Sequence, residues 1–210
     1  MCGGPVAEAR RTLGIPATMD DLVAMNANLT ASPTARAADI YSGVLYTALD
    51  LPGLQGTHLR RANRRIAMMS ALFGLVRPTD RIPPYRLSAN VNLPGVGPLA
   101  TFWRQPLGAA MESAQPGLII DMRSSPYAAM WPVRAHPALT TVTVKVWQWT
   151  GAGQRTAVSH HNKATKGYLA RLLATGEETP GTARAVAEVV AAAGWDVELT
   201  GSRVDVYVPH

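Results

Sequence analysis

Four arginines stand within six residues, Arg60-Arg61-Ala62-Asn63-Arg64-Arg65, two positions after His58. On a helix, Arg60 and Arg64 share one face, and Arg61 and Arg65 share another. Guanidinium groups on adjacent turns repel one another unless anions lie between them. A phosphate backbone supplies such anions. So does a solvated surface with scattered carboxylates, and both readings stand.

A second set lies between Ser70 and Leu87, where Arg77, Asp80, Tyr85 and Arg86 are spaced by Pro78, Pro83 and Pro84. Prolines fix the backbone and hold polar side chains in place on a loop. Arg77 and Asp80 are close enough to pair within a turn, and Asp80 or Tyr85 could carry a proton. The segment reads equally as a binding loop or as a knot of ion pairs. A third set runs from Ser159 through His160, His161, Asn162, Lys163, Lys166 and Gly167 to Arg171. It is expected to leave a strand and enter a helix, where backbone amides and the dipole favour an anion. Lys163, Lys166 and Arg171 would line that helix, with His161 a further proton carrier. Neighbouring histidines on a strand point to opposite faces and no third ligand stands nearby, so no metal is expected.

Two weaker signals complete the inventory. Leu93-Pro94-Gly95-Val96-Gly97 matches the hairpin of helix-hairpin-helix modules, in which Gly95 and Gly97 would let the backbone approach a phosphate. That module needs a helix on both sides. Pro98-Leu99-Ala100 can open the second, whereas Ser88 to Val91 makes a poor first. Asp121, Arg123 and Ser124 follow the apolar run Leu118–Ile120, at the kind of strand end where α/β sheets place ligands. The chain has no G-x-S-x-G elbow, Walker loop or G-x-G-x-x-G fingerprint.

The elements that must position these residues follow from periodicity and breakers. Helices are expected at Asp21–Met25, capped by Thr18 or Asp20, and over Ala35–Asp50, capped by Thr34. Thr57–Leu75 reads as a helix, or as a helix ending in a strand, and Arg77–Gly97 as a proline-constrained loop. Phe102–Ala114 reads as a helix and Leu118–Met122 as a buried strand. Val142, Val144 and Val146 alternate along the strand Thr140–Trp149, with Arg155–Ser159 returning after a glycine turn. Helices at Lys163–Ala174 and Thr182–Ala193 precede a hairpin of Val197–Leu199 and Val204–Val208 turning at Thr200-Gly201-Ser202. This order predicts a mixed α/β (α+β) protein, one domain over 1–210, with a mixed sheet and surrounding helices.

Composition narrows the partners. The 210 residues are 47% hydrophobic and 16% charged, which excludes a disordered chain. One cysteine, Cys2, excludes a disulfide framework and a cysteine zinc site. No apolar run approaches a membrane span, no secretion signal is visible, and a cytoplasmic location is expected. The net charge of +6 favours anionic partners, and 17 of the 20 cations are arginine, the residue suited to bidentate phosphate recognition. A GC-rich coding bias would also raise arginine.

These motifs together resemble the YaaA-like peroxide-stress proteins, most closely their actinobacterial-type members. The resemblance covers roughly Ala35 to Arg171 and rests on Tyr41-Ser42-Gly43-Val44-Leu45-Tyr46, on Ser70 through Asp80, and on Ile82 through Leu87. It continues in Leu93 through Ala100, Phe102-Trp103-Arg104, and Ser159 through Gly167. It implies a DNA-binding protein of mixed α/β fold with a helix-hairpin-helix element, acting to limit free iron and DNA damage during peroxide stress. It also implies that Arg77, Asp80, Tyr85, Arg86, Lys163, Lys166 and Arg171 form a polar constellation. Members usually open with an apolar strand and a Ser/Pro loop ending in Lys. This chain begins Met1-Cys2-Gly3-Gly4-Pro5-Val6, so that strand and its Ser/Lys pair are expected to be missing.

Two functions follow. The first is non-specific binding of double-stranded DNA, without a cofactor, through a DNA- or anion-binding set of Arg60, Arg61, Arg64, Arg65, Arg77, Arg86, Gly95, Gly97, Lys163, Lys166 and Arg171. The alternative is an enzyme on a nucleotide, nucleobase or other small anion in a cleft lined by Arg77, Asp80, Tyr85, Arg86, Lys163 and Lys166, with Arg86, Lys163 and Lys166 holding the anion. In that version Asp80, Tyr85 or His161 handles protons.

Overall fold

A computed structural model describes residues 5–112, 117–133, 139–149, 155–156 and 159–208, the side chains of 159–161 excepted. The fold is mixed α/β, as its sequence pattern predicts. The chain divides into two compact units, one of Met1–Ile40, Ala67–Ser113 and Arg123–Val133, the other of Tyr41–Ile66, Ala114–Met122 and Arg134–His210.

The first unit opens with helices α1 (Val6–Leu13) and α2 (Asp20–Ala27). Ala9, Leu13, Ile15 and Val23 make its smaller core. The expected cap on α2 is absent, since Met19 occupies the N-cap position and no side chain bonds the helix start. A single helix over Ala35–Asp50 is likewise corrected. Ala35 and Arg36 form strand β1, because they pair antiparallel with Ile82 and Arg81 of β4 (Arg81–Ile82). The short helix α3 (Ala37–Ile40) follows at once, and Gly43, at φ 102°, separates it from α4 (Val44–Leu49) of the second unit. An extended pairing and a positive φ both interrupt the helical hydrogen-bond ladder.

Strands β2 (Met68–Ser70) and β3 (Gly74–Val76) form a tight hairpin in the first unit, and β5 (Asn92–Leu93) and β6 (Gly97–Pro98) form another. Gly95 and Gly97 turn the second at φ 77° and 89°. Helix α6 (Leu99–Glu112) starts directly after β6, but residues 83–91 hold no helix. The module expected at Leu93–Gly97 therefore has its hairpin and second helix without a first. Short α7 (Ser125–Met130) completes the unit. Its larger core gathers Ala71, Val91, Leu93, Leu99, Leu107 and Met130 against Trp103 and Tyr127.

The second unit is built on a five-stranded sheet of order β10-β11-β8-β7, with β9 pairing the far end of β8. Its strands are β7 (Gly117–Asp121), β8 (Leu139–Trp149), β9 (Arg155–Thr156), β10 (Asp196–Thr200) and β11 (Arg203–Val208). β8 runs parallel to both β7 and β11, while β10 and β9 pair antiparallel. The return after β8 is shorter than Arg155–Ser159: Ser159 already begins helix α8 (Ser159–Thr175). The alternation along β8 works as expected, with Val142, Val144 and Val146 each at most 2% exposed. Beside Val204 and Val206 of β11, they pack on Leu169 and Leu173 of α8 and on Val186 and Val190 of α9 (Ala183–Ala192). Thr182 caps α9 by accepting from the Ala185 amide. Burying a valine contributes about 1.5–3 kcal/mol, so this sandwich is the unit's main source of stability.

Candidate functional site

Helix α5 (Gly56–Arg65) carries the arginine cluster and contains no acidic residue. Its two arginine faces have separate fates. Arg60 and Arg64 are exposed. Arg61 and Arg65 turn to the C-terminus of α8, where the last carbonyls of any helix lack internal partners. Arg65 donates to the Gly176 carbonyl at 2.7 Å and to Thr179 Oγ1 at 2.6 Å, and Arg61 donates to the Thr175 carbonyl at 3.1 Å. Burial first, then the charges of Arg61 and Arg64, lower the Arg65 pKa. Half of the cluster is thus a helix clamp, and half faces water.

The helix start at Ser159 to Arg171 divides in the same way. Lys163 is exposed on α8. Arg171 reaches across to α4, donating to the Leu49 carbonyl at 2.8 Å, to the Asp50 carbonyl, and to Asp50 Oδ2 at 3.2 Å. Asp50 stands at φ 46° and closes α4, so Arg171 fixes a helix end. Gly167 lets the two helices meet. A Cβ there would lie 2.3 Å from the Leu45 carbonyl oxygen. Lys166 turns inward instead and is 8% exposed. Its Nζ donates to the Met122 carbonyl at 2.9 Å, just beyond the end of β7. Burial first, and the charge of Lys145 on β8 second, lower its pKa to about 8, against the opposing pull of Asp121. His161 lies on α8, but its side chain is outside the described residues.

In the first unit the Ser70–Leu87 segment is held by its own backbone. The Asp80 carboxylate accepts the Arg77 amide at 2.8 Å, and the Asp80 amide returns to the Arg77 carbonyl at 3.1 Å. The expected Arg77–Asp80 pairing therefore runs through main chain. Ser70 Oγ accepts the amides of Leu72 and Phe73 at 3.2 and 2.9 Å and lies 2.7 Å from the Tyr85 hydroxyl. Either hydroxyl can be the donor in that contact. Asn26 grips Arg86 by its backbone, with its Oδ1 accepting the Arg86 amide at 2.8 Å and its Nδ2 donating to the Arg86 carbonyl at 2.7 Å. The Arg86 and Arg77 residues are exposed. Arg77, Asp80, Tyr85 and Arg86 belong to the first unit, and Lys163, Lys166 and Arg171 to the second.

Sequence reasoning missed a polar network on the sheet face opposite the valines. Asp205, completely buried, accepts Arg203 at 2.8 Å and the Trp147 indole at 2.7 Å, with Arg155 at 3.6 Å. Arg155 lies over the Trp147 ring at 5.0 Å, and Trp149 stacks on Tyr207. Tyr207 in turn donates to Glu198 at 2.7 Å, which raises its pKa. Alternation along β11 marks Asp205 as facing away from the valines but gives no sign of its burial. Among the described residues no three of His, Cys, Asp and Glu come together as a metal site, and no helix is long and apolar enough to cross a membrane.

The fold and these residues define a mixed α/β protein of two units, whose cations are split between internal clamps and solvent-facing groups. Residues 5–197 match the family model described as peroxide stress protein YaaA, and the chain belongs to that family. A UPF0246 protein of Streptomyces coelicolor is 44% identical over 200 residues, covering 94% of this chain and 75% of the relative. UPF0246 proteins of Corynebacterium efficiens and Corynebacterium glutamicum are 39% and 40% identical, over 93% and 92% of this chain and 78% and 76% of theirs.

Proposed function

We propose that this protein binds double-stranded DNA without sequence preference, as its part in the peroxide-stress response for which its family is named. One observation carries the reading. Arg60 and Arg64 stand exposed one turn apart on a helix without acids, while their neighbours Arg61 and Arg65 anchor that helix to α8. A cation pair on a fixed helix contacts successive backbone phosphates, giving affinity and salt dependence without base reading. Lys163, exposed on α8, adds to the cation supply of the same unit. The amides at the start of α6, after the Gly95–Gly97 turn, suit a phosphate as well. Limiting free iron and DNA damage under peroxide is the cellular outcome that the family resemblance adds to this reading. The enzyme alternative has less support, because one oxygen of the Asp80 carboxylate, Oδ2, already accepts the Arg77 amide.

Fluorescence anisotropy of a labelled duplex over a salt series tests the reading. Each phosphate contact contributes about 0.9 to the slope of log affinity against log salt. Arg60→Ala with Arg64→Ala should therefore flatten the slope by about 2. Absence of duplex binding by the parent protein at low salt overturns the proposal.

A further inference from the structure

The two faces of the five-stranded sheet differ in chemistry. Val142, Val144 and Val146 of β8 face α8 and α9, so Lys145, Trp147 and Trp149 face the other way. Arg203, Asp205 and Tyr207 of β11 share that second face, because Val204 and Val206 belong to the first. Aromatic rings and guanidinium groups are interleaved there. The Arg155 guanidinium lies over the Trp147 ring at 5.0 Å. The Trp149 ring stacks on Tyr207, with centroids 5.0 Å apart and planes 7° from parallel. Asp205 fixes the Trp147 indole at 2.7 Å, and Glu198 fixes the Tyr207 hydroxyl at 2.7 Å. These rings are held in place before any ligand arrives, which lowers the entropy cost of binding one. Trp149 nevertheless keeps 41% of its surface exposed.

The charges around the rings leave a positive surplus. Arg203 and Arg155 both reach Asp205 Oδ2, at 2.8 and 3.6 Å, and Asp205 is completely buried. One carboxylate neutralises one guanidinium, yet the two arginine side chains are 40% and 44% exposed. Lys145, opposite Asp205 in the register, adds a half-buried ammonium. The other acids of this face stand aside. Asp196 and Glu198 are on β10, two strand spacings or roughly 10 Å from β8. Asp121 of β7 is paired with Thr143, roughly 20 Å along β8 from Trp149. Arg155, on β9, occupies the flank of β8 away from β10. Trp149 is the one exposed large apolar side chain on this face among the described residues, which is too little apolar area for a protein partner.

An aromatic face beside partly compensated guanidinium groups matches the two repeating parts of an unpaired strand, flat bases and phosphates. A duplex keeps its bases inside its own stack, so they are out of reach of Trp149. We propose that this sheet face binds single-stranded DNA, with a base stacking on Trp149 and neighbouring phosphates on Arg155 and Arg203. Every base has a π-face, so the platform tolerates any sequence. It is separate from the arginines of α5. That helix is fastened to the end of α8, on the helical side of the sheet, and the platform occupies the opposite face. The platform therefore stands whether or not α5 holds a duplex. With both in use, one molecule holds paired and unpaired DNA together.

Anisotropy of a labelled oligothymidylate, compared with an abasic strand of the same length, tests the proposal on the whole chain. The parent protein should bind the base-bearing strand at least about fivefold more tightly, the least that one stacked base supplies. Trp149→Leu should bring the two strands to equal affinity, whereas Trp149→Phe, which keeps an aromatic face, should retain part of the difference. Arg155→Ala should weaken both strands and flatten the salt slope by about 0.7. Should Trp149→Leu fail to fold, photocrosslinking of an iododeoxyuridine strand to the parent protein reads the same contact, and the adduct should map to Trp149. Equal affinity of the parent for the two strands, or crosslinks that avoid β8, β9 and β11, overturns the proposal. Displacement of the oligothymidylate by excess blunt duplex overturns the separate platform, whereas failure of the duplex to bind at all overturns only the reading of α5. Tighter binding of an oligouridylate of equal length overturns the assignment to DNA.

Discussion

Replacing Gly167 by alanine is the sharpest perturbation of the second unit. The new methyl would meet the Leu45 carbonyl oxygen at 2.3 Å, Ala48 Cβ at 2.7 Å and the Leu49 amide nitrogen at 3.0 Å. Carbon contacts are favourable at about 3.5–4.0 Å, so α4 and α8 must part by about 1 Å. Two of the three obstacles are backbone, which no rotamer change can move aside. Parting the helices also stretches the bonds from Arg171 to the Leu49 and Asp50 carbonyls. Overpacking costs about 1–3 kcal/mol, and weakened Arg171 bonds add about 1 kcal/mol. Alanine returns about 1 kcal/mol through its helix propensity. The net loss is about 2 kcal/mol, which lowers Tm by about 4–8 °C for a chain of this size. Thermal melting followed by circular dichroism measures it. The control is Gly108→Ala in α6, where a Cβ meets nothing within 4 Å and propensity alone should raise Tm by about 1–4 °C. A Gly167→Ala protein melting at or above the parent would refute the close-approach argument.

Three further outcomes follow from other contacts. Arg65→Ala should cost about 1.5–3 kcal/mol in urea unfolding, because charged donors to the α8 end are lost, while Arg60→Ala stays within about 0.5 kcal/mol. Lys166 holds its proton to about pH 10.5 unfolded but only to about 8 folded, so the unfolded state binds more protons between those values and stability rises with pH there. The stability of the parent protein relative to Lys166→Met should be flat below pH 8 and climb by up to about 3 kcal/mol towards 10.5, and a flat difference throughout would contradict the buried ammonium. Asp205→Ala strands the Trp147 indole and Arg203, and should cost about 2–3 kcal/mol by urea titration, since Arg203 still reaches solvent.

The parts readable from the chain were those whose signals are local. Val142, Val144 and Val146 announce β8, Thr182 announces the start of α9, and Thr200-Gly201-Ser202 announces the last hairpin, each within a dozen residues. What escaped depends on distant partners. Ala35 and Arg36 have helical neighbours, yet they pair with residues 45 or more positions on, and no local propensity records that. Arg61, Arg65 and Arg171 look identical to Arg60 and Arg64 as letters. Most of their partners are main-chain carbonyls, which every residue possesses, so composition cannot single them out. Asn26 gave no signal for the same reason, since it holds Arg86 only by backbone. The candidate site was half visible: its cations were found, but which of them face water depends on packing between elements far apart in sequence.

The interleaving of the two units sets a timetable for synthesis. The chain changes unit after Ile40, Ile66, Ser113, Met122 and Val133, so neither unit can be cut out as one continuous fragment. Helices α4 and α5 leave the ribosome long before the helix that completes them. Leu49 waits 122 residues for Arg171, and Arg65 waits 111 for Gly176. At about 5–20 residues per second, that delay is roughly 5–25 s. During it, Arg61, Arg65 and the small face of α4 await their α8 partner on a nascent chain, close to the polyanionic RNA of the ribosome. Chaperones that shield nascent chains would act on this protein in that interval, and C-terminal truncations would leave α4 and α5 permanently in it.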